Sequence, residues 1–196
     1  MAVNIEDYIP VVKYQGLNTA KAANIDGVTV DTSGNTAIPG NLAVTGTITG
    51  PRSVNVLASS GNTTITAATS GSTRLFDSAA GITYTLPAPV VGLTYNFVWT
   101  VSQTSSNHIV ITDAGTTFLL GGVSMFSATD VTPSATLGPK FFAANGSTHV
   151  KFTSNATTTG TAIGSWLRLT CVTATQWYVE GCIDSPSGSI ATPFST

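Results

Sequence analysis

Between Val28 and Gly50 every large apolar residue occupies an even position: Val28, Val30, Ile38, Leu42, Val44 and Ile48. The odd positions carry Thr29, Asp31, Thr45, Thr47 and Thr49. Successive side chains of an extended chain point to opposite faces, so this run reads as a ribbon with one apolar face. Gly34 and Pro39-Gly40 cut it into pieces too short to stand as a free sheet. Burial of six side chains does not offset the entropy lost in ordering the backbone that carries them. The apolar face therefore calls for a cover from outside the segment, either identical copies or a larger partner. That requirement points to assembly rather than catalysis.

Composition carries the β reading through the rest of the chain. Only 8% of the residues are charged, against about 25% in an ordinary soluble domain. Threonine is roughly one residue in six, and Thr, Val and Ile suit the pleated, half-buried surface of a sheet. Nineteen glycines and nine prolines punctuate them. The expected fold class is all-β: an antiparallel β-sandwich, jelly-roll-like, preceded by an extended N-terminal arm and a short β ribbon. The 196 residues suffice for one such domain plus an extension. Net charge is −2 and no cluster of Lys or Arg occurs, which argues against a nucleic-acid footprint. Low charge also means weak mutual repulsion, which tolerates dense packing of many copies.

Four segments follow. Residues 1–27 read as an extended arm, with Pro10 confining its one β-like stretch to an edge. Residues 28–50 are the alternating ribbon, read as a segment for assembly. After Pro51-Arg52, turn signals recur about every ten residues, as in a sandwich or barrel, and 51–185 form the domain. Strands are predicted near 53–58, 62–67, 73–77, 82–86, 93–101, 108–112, 117–120, 123–127, 140–144, 148–153, 165–172 and 176–183, with long polar loops at 128–139 and 153–164. The Ser-, Pro- and Gly-rich stretch 186–196 reads as a loose tail.

The strongest single strand is Leu93 to Val101, where Leu93, Tyr95, Phe97, Trp99 and Val101 share a face. In the last hairpin Leu167, Leu169 and Cys171 alternate with Arg168 and Thr170, and Trp177 and Val179 with Tyr178 and Glu180. Its register sets Cys171 near Trp177 and Cys182 near Trp166, too far apart for a disulfide. The same register sets Arg168 opposite Glu180.

The chain is poor in groups that carry chemistry. After Pro51 it holds five carboxylates: Asp77, Asp113, Asp130, Glu180 and Asp184. None sits at a spacing that forces the pairing glycoside hydrolysis needs. His108 and His149 lack a nearby third ligand, no C-x-x-C occurs, and Leu120-Gly121-Gly122-Val123 lacks the Lys and helix of a phosphate cradle. No enzyme activity, cofactor, metal site or catalytic residue is expected. No apolar run reaches 18 residues, and the first twenty residues do not resemble a signal peptide, so synthesis in a cytosol and no membrane partner are expected. An aromatic sugar platform would have to draw on Tyr84, Trp99, Trp166, Trp177 or Tyr178.

Three stretches together carry a resemblance: Tyr8-Ile-Pro-Val-Val-Lys-Tyr-Gln-Gly-Leu-Asn-Thr-Ala-Lys-Ala, Ile38-Pro-Gly-Asn-Leu-Ala-Val-Thr-Gly-Thr-Ile-Thr-Gly, and Tyr84-Thr-Leu-Pro-Ala-Pro-Val-Val-Gly-Leu-Thr-Tyr-Asn-Phe-Val. The set resembles structural proteins of tailed bacteriophages, especially capsid decoration (cement) proteins, with some similarity to tail-fibre segments. The resemblance implies a virion protein on the outer capsid surface that clamps neighbouring major capsid proteins, as a homotrimer. On that reading Ile9, Val11, Val12, Tyr14 and Leu17 anchor the arm in the capsid, and Val28, Val30, Ile38, Leu42, Val44 and Ile48 meet sibling chains. The alternatives are a tail fibre or spike subunit with a receptor-binding β head, and a carbohydrate-binding module.

Overall fold

The computed structural model describes residues 29–30, 36–37, 55–127, 139–160, 162–186 and 190–196. The chain divides into two compact units, Met1–Pro51 and Arg52–Thr196. In the first, β1 (Thr29–Val30) pairs antiparallel with β2 (Thr36–Ala37), setting Val30 opposite Thr36. A ladder this short is not stable by itself in water.

The second unit is a two-sheet, all-β domain. Its strands are β3 (Val56–Leu57), β4 (Thr63–Thr64), β5 (Thr73–Phe76), β6 (Thr83–Thr85), β7 (Thr94–Trp99), β8 (His108–Ile111), β9 (Phe118–Ser127), β10 (Lys140–Asn145), β11 (Lys151–Ser154), β12 (Trp166–Thr173), β13 (Gln176–Ser185) and β14 (Phe194–Ser195). A 3-10 turn at Ala67–Thr69 is the only helical element among the described residues. One sheet has seven strands in the order β10-β9-β13-β12-β7-β5-β3, and the other five in the order β14-β11-β8-β6-β4.

The strand directions differ from the antiparallel, jelly-roll-like expectation. From β3 to β8 the chain passes from one sheet to the other at every strand, so β3, β5 and β7 lie parallel in one sheet and β4, β6 and β8 parallel in the other. A parallel pair needs a crossover, and here a strand of the opposite sheet supplies it. From β9 onward the pairs are antiparallel, except that β13 runs parallel to β9 from Gln176 beside Phe118 to Ser185 beside Ser127. Apolar alternation tells which face a side chain takes and is the same in both directions, so it does not reveal strand polarity.

The core forms where the inner faces meet. Alternate residues of each strand are buried: Phe76 on β5; Tyr95, Phe97 and Trp99 on β7; His108 and Val110 on β8; Leu167, Leu169 and Cys171 on β12; Trp177, Val179 and Ile183 on β13. Aromatic rings join the two sheets. Phe76 lies 5.1 Å from Tyr84 and 4.5 Å from the His108 ring, and Trp99 lies 6.1 Å from Phe152. Such pairs add about 0.5–1.5 kcal/mol each beyond their burial. Two buried tyrosines find partners: the Tyr84 hydroxyl donates to the Leu75 carbonyl at 2.8 Å, and the Tyr95 hydroxyl to the Thr66 carbonyl at 3.0 Å.

Two further expectations are corrected. The predicted strands 117–120 and 123–127 are one continuous strand, β9, which crosses Gly121-Gly122 with Gly121 at φ +106°. The stretch 186–196, read as a loose tail, is tied down over its described residues 190–196. Phe194 is buried, β14 pairs with β11, and the Phe194 and Phe152 rings are 5.9 Å apart. Ile190 and Phe194 supply the apolar anchors that the Ser and Pro content obscures.

Candidate functional site

Ile9, Val11, Val12, Tyr14, Leu17, Val28, Ile38, Leu42, Val44 and Ile48 lie outside the described residues. Val30 lies in β1, opposite Thr36.

Within the domain several titratable groups are tied into the structure. Asp77 accepts the Ser59 N–H at 3.1 Å and the Ser59 hydroxyl, tying the chain after β3 to the end of β5. His108 is fully buried, and its Nδ1 accepts the Ile82 N–H at 3.1 Å. Burial pushes His108 down to about 4, against the opposing pull of the Ser78 backbone and the Asp77 charge, so it is neutral at pH 7. Burial likewise raises the Tyr84 phenol to about 12. Cys171 and Cys182 are free thiols, and burial pushes both up. They stand opposite Trp177 and Trp166. No group of three or more His, Cys, Asp or Glu residues among the described residues is arranged to hold a metal ion. No helix among them is long and apolar enough to cross a membrane.

What remains is a surface: the outer face of the seven-stranded sheet. The register places its side chains in rows. One row runs from Phe141 on β10 through Ser124, Cys182, Trp166 and Val98 to Leu75 on β5. The next runs from Ala143 through Gly122, Glu180, Arg168 and Asn96 to Thr73. The third runs from Asn145 through Leu120, Tyr178 and Thr170 to Thr94. Phe141 is 66% exposed, Trp166 43% and Tyr178 42%. Between the rows of Trp166 and Tyr178, Arg168 Nη1 meets Glu180 Oε1 at 3.3 Å, an exposed pair.

Gly121 and Gly122 shape this face. A Cβ at Gly121 would come within 2.9 Å of the Tyr178 ring, and one at Gly122 within 2.5 Å of the Phe141 ring. Each ring therefore leans over bare backbone of β9, held from below and open to solvent above. A side chain at either position would also strike backbone, the Val179 carbonyl at Gly121 and the Phe142 carbonyl at Gly122, so it would disturb the sheet as well as the ring.

Of the five aromatics that could build a sugar platform, Tyr84, Trp99 and Trp177 are core residues, while Trp166 and Tyr178 share this outer face. Phe141 and Phe126 are exposed rings of this face that were not among the five. The signal was present: Phe141 and Phe142 are adjacent in a strand, so one of them must face outward.

No family model matches this chain, and neither curated proteins nor solved structures give a match.

Proposed function

We propose that the chain is a structural protein of a tailed-phage virion. It decorates the outer capsid surface as a homotrimer and clamps neighbouring major capsid proteins. It performs no catalysis. Ile9, Val11, Val12, Tyr14 and Leu17 seat in grooves between capsid subunits, and the even-numbered apolar residues from Val28 to Ile48 meet the same residues of sibling chains. Each copy adds a modest interface, and the sum over many copies resists the outward pressure of the packaged genome.

The observation that carries this reading is the contrast across Pro51: a domain that buries its own apolar face follows a segment whose alternating apolar sequence is too short and too interrupted to cover itself. The sequence resemblance to decoration proteins and the low charge point the same way. The test is removal of residues 1–27. The shortened protein is expected to lose capsid binding, while undiminished decoration would refute the arm's role.

A tail-fibre or spike head is the second reading, favoured by the exposed aromatic face around Trp166 and Tyr178. Copy number separates the two, since decoration requires hundreds of copies per particle and fibres tens or fewer.

A further inference from the structure

We propose that the outer face of the seven-stranded sheet, around Phe141, Trp166 and Tyr178, is a binding platform for neutral oligosaccharides. This goes beyond the structural role and stands on the sheet face alone.

Four aromatic rings on one solvent face, Phe141, Trp166, Tyr178 and Phe126 on β9, are a departure from the default, because large aromatic side chains dominate cores and interfaces. Here the chain already buries Trp99 and Trp177, so a core for rings was available. The adjacent residues Trp177 and Tyr178 take opposite sides of β13, the first fully buried and the second open.

The support under the rings selects the ligand. Tyr178 and Phe141 rest on Gly121 and Gly122 rather than in a pocket, so each offers a supported ring on an open surface. The negative face of an aromatic ring attracts weakly positive C–H groups, and one side of a pyranose presents a patch of such groups. Polar groups that can take sugar hydroxyls lie beside the rings: Arg168 and Glu180 lie between Trp166 and Tyr178, Asn96 pairs with Arg168, and Thr170 lies two residues along β12 opposite Tyr178. Arg168 and Glu180 neutralise each other, which matches an uncharged ligand better than an anionic or cationic one. A sheet face is shallow, so the fitting ligand is a chain of several sugars laid across strands rather than one sugar in a cavity.

Binding here is not accompanied by cleavage. Glu180 and Asp184 are four residues apart on β13, about 13 Å along an extended strand. The two carboxylates of an inverting glycosidase lie roughly 6.5–9.5 Å apart, and those of a retaining one closer.

The full chain should be applied to an immobilised glycan array holding neutral hexose and deoxyhexose oligosaccharides beside sialylated, uronic and sulfated ones. Binding to a subset of the neutral glycans is expected. Trp166→Ala and Tyr178→Ala should each weaken it at least tenfold without lowering the thermal unfolding temperature, and Val91→Ala, an exposed apolar change in a loop, should leave it intact. No binding anywhere on the array would overturn the proposal. So would preference for charged glycans, or full binding by both Ala variants. If Trp166→Ala instead lowers the solution mass of a protein that binds no glycan, the face is covered by a second copy and the proposal fails.

Discussion

The two units of the chain carry the same alternation in their sequences. In Arg52–Thr196, alternate residues of one sheet meet alternate residues of the other, and Leu167, Leu169, Trp177 and Val179 disappear completely from solvent. In Met1–Pro51, six apolar residues keep the same two-residue rhythm from Val28 to Ile48, and the described pairing there is two residues against two. Alternation states that one face must be covered, without saying by what. The domain supplies its own cover from a second sheet. On the proposed function, the ribbon takes its cover from sibling chains.

Damage to the domain's core tests the first half of that contrast, and the largest effect is expected there. Trp99→Ala should cost about 3–5 kcal/mol of unfolding free energy, read by urea denaturation. A loss below about 1 kcal/mol would mean that the aromatic contacts between the sheets do not hold the domain together.

Acid attacks the same core through His108. Its folded value of about 4 lies below the ordinary 6.5, so the unfolded chain takes up the proton first. The His108 contribution should be level above pH 7 and fall as pH drops from 6.5 toward 4, by on the order of 3 kcal/mol. His108→Gln should remove this part of the slope, and an unchanged pH profile in that variant would contradict it.

Surface changes sharpen the comparison because they should do little to stability. A double-mutant cycle on Arg168 and Glu180 should give roughly 0.2–1 kcal/mol at low salt, shrinking in 1 M NaCl, as expected for an exposed pair. Trp166→Ala should shift unfolding free energy by no more than about 0.5 kcal/mol. A larger loss would place the Trp166 ring among the stabilising contacts rather than on an open platform.

Facing was legible in the sequence and connectivity was not. The hairpin register follows from alternation and one short turn, and Cys171 opposite Trp177, Trp166 opposite Cys182 and Arg168 opposite Glu180 all stand as the sequence predicts. The inward set Tyr95, Phe97 and Trp99 was readable for the same reason. The parallel pairing of β13 with β9 was not, because it joins residues more than fifty positions apart and alternation carries no direction. β14 was hidden because Phe194 sits among Ser, Thr and Pro, and a two-residue strand has no period to detect. At the outer face, Trp166 and Tyr178 were among the candidates, but only the burial of Tyr84, Trp99 and Trp177 sets them apart.

The most direct test of the ribbon as an assembly element is the solution mass of the full chain beside that of a variant carrying Leu42→Asp, Val44→Asp and Ile48→Asp together. Three copies of the 20.0 kDa chain, about 60 kDa, are expected for the first and a single copy for the second, with the same unfolding transition in the domain. A full chain that runs as one copy, or a triple variant that still runs as three, would contradict the claim that the alternating face of residues 28–50 is covered by its siblings.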